Sequence, residues 1–325
     1  MKITVIGVGA IGGWMAVRLA HVPGVQMNAL ARGATLAALR AHGITLHSEG
    51  KTIQSACNAV GDAQQLGAQD VVIISVKAPA LRDIATQIAP LLGPDTIVLS
   101  AMNGVPWWFL QGFGGAVANH ALPSVDADGA IAQLIPAQHI IGCVVHASCS
   151  TSAPGVVQHH FGNGLIMGKP SGEKTERVQK LLALFQQAGF AATLSEQIQK
   201  DIWYKLWGNM TMNPISAMTG ATTDTLLDDG LVRGFISSVM CEAKEIGARI
   251  GIPIDQQPED RFAVTRKLGA FKTSMLQDVE AGKPVELDAL VTAVQELGSM
   301  TGVATPNTNA LLGMARLHAR VRGLY

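Results

Sequence analysis

The sequence predicts an α/β domain built on a doubly wound parallel sheet, followed by an all-helical domain. Three observations carry this. Short β-branched runs alternate with helix-like stretches over the first 195 residues, the pattern of parallel strands joined by crossover helices. A glycine-rich turn stands between the first such run and the first such stretch. Everything after Ser195 reads as helix. The expected division is therefore 1–195 and 196–325.

Residues 2–6 form the first strand, and Gly7-Val8-Gly9-Ala10-Ile11-Gly12-Gly13 ends it. A helix-like stretch follows over 14–21, then an apolar run over 25–30. Residues 69–76 are a continuous apolar run after a helical segment, which reads as a buried parallel strand. The pattern repeats with a helix at 80–92, the turn Gly93-Pro94-Asp95 and a strand at 96–101. Shorter sheet-extending strands are expected at 139–148, 155–160 and 165–168. A helix at 174–188 and a strand at 191–194 complete this half. The helices of the second half are expected at 197–219, 231–250, 262–281, 286–301 and 308–322. Gly251-Ile252-Pro253 and the stretch from Gly302 to Pro306 stop two of them.

Composition narrows the function. The 24 basic and 24 acidic residues cancel, and charged residues are 15% of the chain against a usual ~25%. Neither half is an electrostatic tail, so nucleic acid and anionic membranes are not expected as partners. No run of ~20 apolar residues is present to span a membrane, and too little chain precedes the first glycine for a signal peptide. Four cysteines without a CxxC pair read as reduced thiols of a cytoplasmic protein. Cys143, His146 and Cys149 do not form a metal site, because position 146 faces away from the other two on a strand. The low charge fraction allows a buried subunit surface, and with it a homodimer.

Gly7, Gly9 and Gly12 directly follow a strand and open a helix, the context in which GxGxxG binds a dinucleotide. The first glycine permits the turn, the second admits the pyrophosphate and the third lets helix and strand pack closely. The N–H groups of Ala10, Ile11 and Gly12 begin a helix whose positive end suits phosphate. A Rossmann-type domain follows from this placement. Twenty residues past Gly12, where NAD-binding chains carry an acid, stands Arg32. Its planar fork suits a 2′-phosphate, so NADPH is the expected cofactor. Lys77, at the carboxyl end of the 69–76 run, could add charge on the same side.

Lys205, Asn209 and Asn213 recur at i, i+4 and i+8 and share one stripe of the 197–219 helix. No charged residue occurs between Leu206 and Thr223. An ammonium and two amides on such a helix are costly unless each finds a partner. Beside a nicotinamide, the ammonium would stabilise and protonate the oxyanion left by hydride addition to a ketone.

The chain resembles ketopantoate reductases. The resemblance lies in the glycine turn, Asn103-Gly104-Val105, the block from Lys205 to Ala217 with Asn209, Asn213 and Pro214, Ser274-Met275-Leu276-Gln277-Asp278, and Glu286-Leu287-Asp288. It implies NADPH-dependent reduction of a small-molecule 2-oxoacid, 2-dehydropantoate to (R)-pantoate, a step of coenzyme A biosynthesis. It further implies Lys205 as general acid. Asn103, Asn209, Asn213, Ser274 and Glu286 would hold the substrate's carboxylate and hydroxyl and the nicotinamide ribose. Two of these have a plainer reading: Ser274 as a helix cap, and Glu286 as a favourable charge at a helix start.

The stretch from Pro106 to Pro136 is longer and more aromatic than in compact members of that family. Trp107 and Trp108 wall or cover a pocket on one reading and belong to core on another. Two further functions stay open: a reductase of a bulkier 2-oxoacid, and a nucleotide-binding sensor without turnover. The acid at Lys205 speaks against the sensor.

Overall fold

The computed structural model describes residues 1–325. The chain folds into two compact units, Met1–Met102 with Ala130–Ile198, and Asn103–Gly129 with Gln199–Tyr325. The α/β part followed by helices is the architecture that the sequence predicts. The segment 103–129, placed in the first domain from sequence, is part of the helical unit.

The first unit runs β1 (Lys2–Ile6), α1 (Ala10–Ala20), β2 (Gln26–Leu30), α2 (Gly33–His42), β3 (Ile44–Ser48), β4 (Lys51–Ser55), β5 (Asn58–Val60), β6 (Val71–Ile74), α3 (Leu81–Ala85), β7 (Ile97–Ser100), α4 (Ala130–Leu134), β8 (Ile140–Ala153), β9 (Val156–Gly168), α5 (Glu176–Gln187) and β10 (Ala191–Leu194). Its ten strands form one sheet in the order β4-β3-β9-β8-β7-β6-β1-β2-β5, with β10 beside β9. β1, β2, β5, β6, β7 and β8 pair in parallel. The β8–β9 and β3–β4 pairs are antiparallel. Central strands are buried on both faces, as in Val71–Ile74 and Ile97–Ser100, which is why they read as unbroken apolar runs.

Three sequence expectations are corrected. The strands placed at 155–160 and 165–168 are one strand, β9, carried through Gly162 and Gly164 with register shifts against β8. The helix expected at 80–92 is only α3, with single 3₁₀ turns at Ala78–Ala80 and Ala89–Leu91. Pro90, inside the second of those turns, lacks the N–H that a helix continued to residue 92 would need. The helix expected at 262–281 is two helices, separated at Gly269, whose φ is +63°.

The helical unit contains α6 (Ile198–Thr219), α7 (Thr223–Asp228), α8 (Gly230–Arg249), α9 (Pro258–Arg266), α10 (Ser274–Glu280), α11 (Ala293–Thr301) and α12 (Pro306–Val321). A π-helical turn, Asp288–Thr292, leads into α11. Trp203 and Trp207 of α6 are fully buried, and the Trp207 Nε1–H donates to the Met240 carbonyl of α8 at 2.7 Å. Trp107, Trp108, Phe109 and Leu110 are buried too, with the Phe109 ring 6.0 Å from that of Trp203. The two tryptophans after Asn103 are thus buried in this unit, as core or as wall, and not an exposed cover over a pocket. No helix is long and apolar enough to cross a membrane.

Candidate active site

In the first unit the glycine turn has the shape of a phosphate cradle. Gly7 has φ +89°, and a Cβ there would stand 2.7 Å from Val76 Cγ1. A Cβ on Gly12 would collide with the Gly7 carbonyl oxygen and the Ser75 hydroxyl, which donates to that oxygen at 2.9 Å. Around Gly9 the space is open, with nothing within 4 Å of its missing Cβ. The first turn of α1, with Ala10, Ile11 and Gly12, has no side-chain cap, so its N–H groups face that space without an intrahelical acceptor.

Register places the two cations. Leu30 of β2 and Ile74 of β6 both lie opposite Ile6 of β1. Arg32, at the N-cap of α2, and Lys77, at the start of a 3₁₀ turn, therefore leave the sheet on either side of the glycine turn. Open backbone space, free helix N–H groups and flanking cations fit a dinucleotide.

In the helical unit, α6 carries Lys205, Asn209 and Asn213 on one stripe. The Lys205 Nζ donates to Asn103 Oδ1 at 2.7 Å, across 102 residues of sequence. Asn213 is buried, and its Nδ2 reaches the Ser274 Oγ at 3.4 Å, a long contact. Ser274 is not the helix cap. The Thr273 hydroxyl caps α10 by accepting from the Leu276 N–H at 3.2 Å, which leaves the Ser274 hydroxyl for other work. Glu286 is half-buried on the segment just before the π-helical turn.

The Asn103 loop is held by backbone. The Val105 N–H donates to the Ala289 carbonyl of the π-helical turn at 2.8 Å. Gly104 has φ +81°, and a Cβ on it would stand 2.5 Å from the same oxygen. Asp288 of that turn accepts from the Tyr325 hydroxyl at 2.7 Å and from Thr292 at 3.0 Å. The sequence shows Gly104 without marking its role; a glycine directly after a candidate site asparagine is the signal that could have found it. Ala289 carries no such signal, since nothing in its neighbourhood marks a π-helical turn. No group of three His, Cys, Asp or Glu side chains is arranged to hold a metal ion.

Residues 3–172 match the family model "Ketopantoate reductase PanE/ApbA", and residues 197–319 match its C-terminal counterpart. The chain belongs to the ketopantoate reductase family. It is 42% identical over 325 residues to 2-dehydropantoate 2-reductase of Mesorhizobium japonicum, covering 100% of both chains. A crystal structure from Ralstonia solanacearum MolK2 that carries the ketopantoate reductase name is 54% identical, with TM-score 0.96, covering 100% of this chain and 99% of that one. The fold extends to D-mandelate dehydrogenase, solved with NADH and anilino(oxo)acetate, at 21% identity and TM-score 0.85 over 100% of both chains. As a member of the ketopantoate reductase family, the protein is an oxidoreductase.

Proposed function

We propose that this enzyme reduces 2-dehydropantoate to (R)-pantoate with NADPH, and that Lys205 is its general acid. The observation that carries the reading is the Lys205–Asn103 hydrogen bond on the Asn209–Asn213 stripe. It holds an ammonium, on a helix otherwise poor in charge, at one defined point. The 42% identical relative of that name supports the substrate. Arg32 supports NADPH over NADH, because its guanidinium can hold a 2′-phosphate with two charge-assisted hydrogen bonds, whereas a ribose hydroxyl offers one neutral acceptor and no charge.

The chemistry supplied by a bound nicotinamide is hydride transfer to the C2 carbonyl carbon. Lys205 donates a hydrogen bond to the carbonyl oxygen, stabilises the negative charge that grows there and delivers the proton that completes the alcohol. Asn103 keeps the ammonium aimed. Asn209, Asn213 and Ser274 offer amide and hydroxyl partners for the substrate, and Glu286 accepts from its hydroxyl. Gly7, Gly9, Ala10, Ile11 and Gly12 bind the pyrophosphate, flanked by Arg32 and Lys77.

A homodimer belongs to the same proposal. Met314, Leu317 and Val321 are exposed on α12, and their i, i+3, i+7 spacing makes one apolar stripe. The decisive experiment follows NADPH absorbance with and without ketopantoate. Ketopantoate-dependent oxidation of NADPH is expected, and its absence at saturating ketopantoate would refute the reading.

A further inference from the structure

Helix α9 lays one side chain, Arg261, across α6 at Gly208. A Cβ on Gly208 would stand 3.1 Å from both Nε and Nη2 of Arg261, so the missing side chain is what admits the guanidinium against the helix. Its carbon lies 5.6 Å from the centroid of the Tyr204 ring. The Nε is buried and has no hydrogen-bond partner. Burial pushes the guanidinium below the usual arginine range, with only a lesser opposing pull from Tyr204. Arg261 as a whole is half-buried, yet a charged N–H turned away from water is normally paired. What this cation lacks is an anion.

Its place on α6 gives that absence meaning. At 3.6 residues per turn, Gly208 points about 60° to one side of Lys205, and Asn213 about 80° to the other. Arg261 and Ser274 thus flank the Lys205 stripe from opposite sides. Ser274 and Asn213 are neutral, while Arg261 is a cation with a planar fork made for carboxylate. A ligand lying along Lys205 meets amide and hydroxyl at one end and positive charge at the other.

We propose that Arg261 is a binding residue for a carboxylate of the 2-oxoacid, seated over Gly208 beside Lys205. This rests on the reductase reading and adds to it the group that reads negative charge. The carboxylate is either the C1 group that every 2-oxoacid shares or a second one at the far end of a longer substrate. The contact offered by Arg261 is the same in both cases.

The test measures KM and kcat of the full-length enzyme with NADPH for ketopantoate, for 2-oxoglutarate and for ketopantolactone, which lacks a free carboxylate. Arg261→Gln should raise KM for carboxylates roughly 10–150-fold and change kcat far less, as expected when uniform binding is lost. Arg261→Lys should recover part of the loss. Gly208→Ala, which only nudges the guanidinium, should fall between wild type and Arg261→Gln. KM for ketopantolactone should stay put in every variant. Loss with both acids identifies the C1 carboxylate; loss with 2-oxoglutarate alone identifies a second one. Unchanged KM for both acids, or an equal rise for ketopantolactone, overturns the proposal and leaves Arg261 a packing residue. Should wild type turn over none of the three, the reductase reading fails on its own. Calorimetric titration of the same compounds then decides on Arg261: acid binding lost in Arg261→Gln supports the proposal, and equal binding or none overturns it.

Discussion

Gly104 and Ala289 approach so closely that no side chain fits between them, a Cβ on Gly104 standing 2.5 Å from the Ala289 carbonyl oxygen. The Val105 N–H donates to that same oxygen at 2.8 Å. Because a π-helical turn bonds its backbone i to i+5, it is a rare local geometry that recurs at functional sites. Here it anchors the loop that aims Asn103 at Lys205. Gly104→Ala should therefore cost about 1–3 kcal/mol by overpacking, beyond the strain of the positive φ, and should lower kcat. Urea unfolding and steady-state kinetics read the two effects. Native stability and rate in the alanine variant would show that the loop tolerates another path.

Lys205→Ala removes the proposed acid. A contact made mainly in the transition state affects kcat more than KM, and general acids contribute about 10²–10⁴-fold. That drop in kcat is the expected outcome in steady-state assays. A kcat within a few-fold of wild type would place the acid elsewhere.

Arg32 should separate the two nicotinamide cofactors. Loss of a charge-assisted bidentate contact in Arg32→Ala should weaken NADPH binding by about 1.5–3 kcal/mol while NADH binding barely moves. Titration with each cofactor makes the comparison. Equal weakening of both would mean that Arg32 does not touch the 2′-phosphate.

Trp108 is 0% exposed, so Trp108→Ala should act on stability before specificity. Truncating a buried tryptophan costs about 3–5 kcal/mol. The fall in unfolding midpoint should greatly exceed any change in preference among 2-oxoacids. A stable variant with altered substrate range would return Trp108 to the pocket.

Burial pushes the Cys149 thiol up to about 12, against a small opposing pull from Arg18. The neutral thiol is the form favoured by folding. Its contribution to stability is complete below about pH 9 and fades as pH rises through the folded value. At pH 8 the thiolate needed for alkylation is scarce at Cys149, whereas Cys241 is exposed. Iodoacetamide labelling followed by peptide mass spectrometry should find Cys241 modified first. Equal rates at the two positions would contradict the buried-thiol account.

Local patterns were readable in the sequence, and long-range ones were not. The glycine turn declares itself because turn, close approach and helix start occur within seven residues of one another. The Lys205 stripe is legible because i, i+4, i+8 is a property of any helix. By contrast β4, Lys51–Ser55, offers one apolar residue among polar ones, and an edge strand of that kind leaves no periodic trace. The partner of Lys205 lies 102 residues away, a pairing that spacing cannot predict. Arg261 escaped notice for the same reason: its meaning depends on the absence of a side chain at Gly208, on another helix.

The helical unit takes Asn103–Gly129 from the middle of the chain and the rest from Gln199 onward. A ribosome therefore releases Trp107, Trp108, Phe109 and Leu110 roughly 90 residues before Trp203 arrives to pack against Phe109. At about 5–20 residues per second, this aromatic stretch waits some 5–20 s for its core. During that interval it is an apolar segment without a home, a ready binding site for a nascent-chain chaperone.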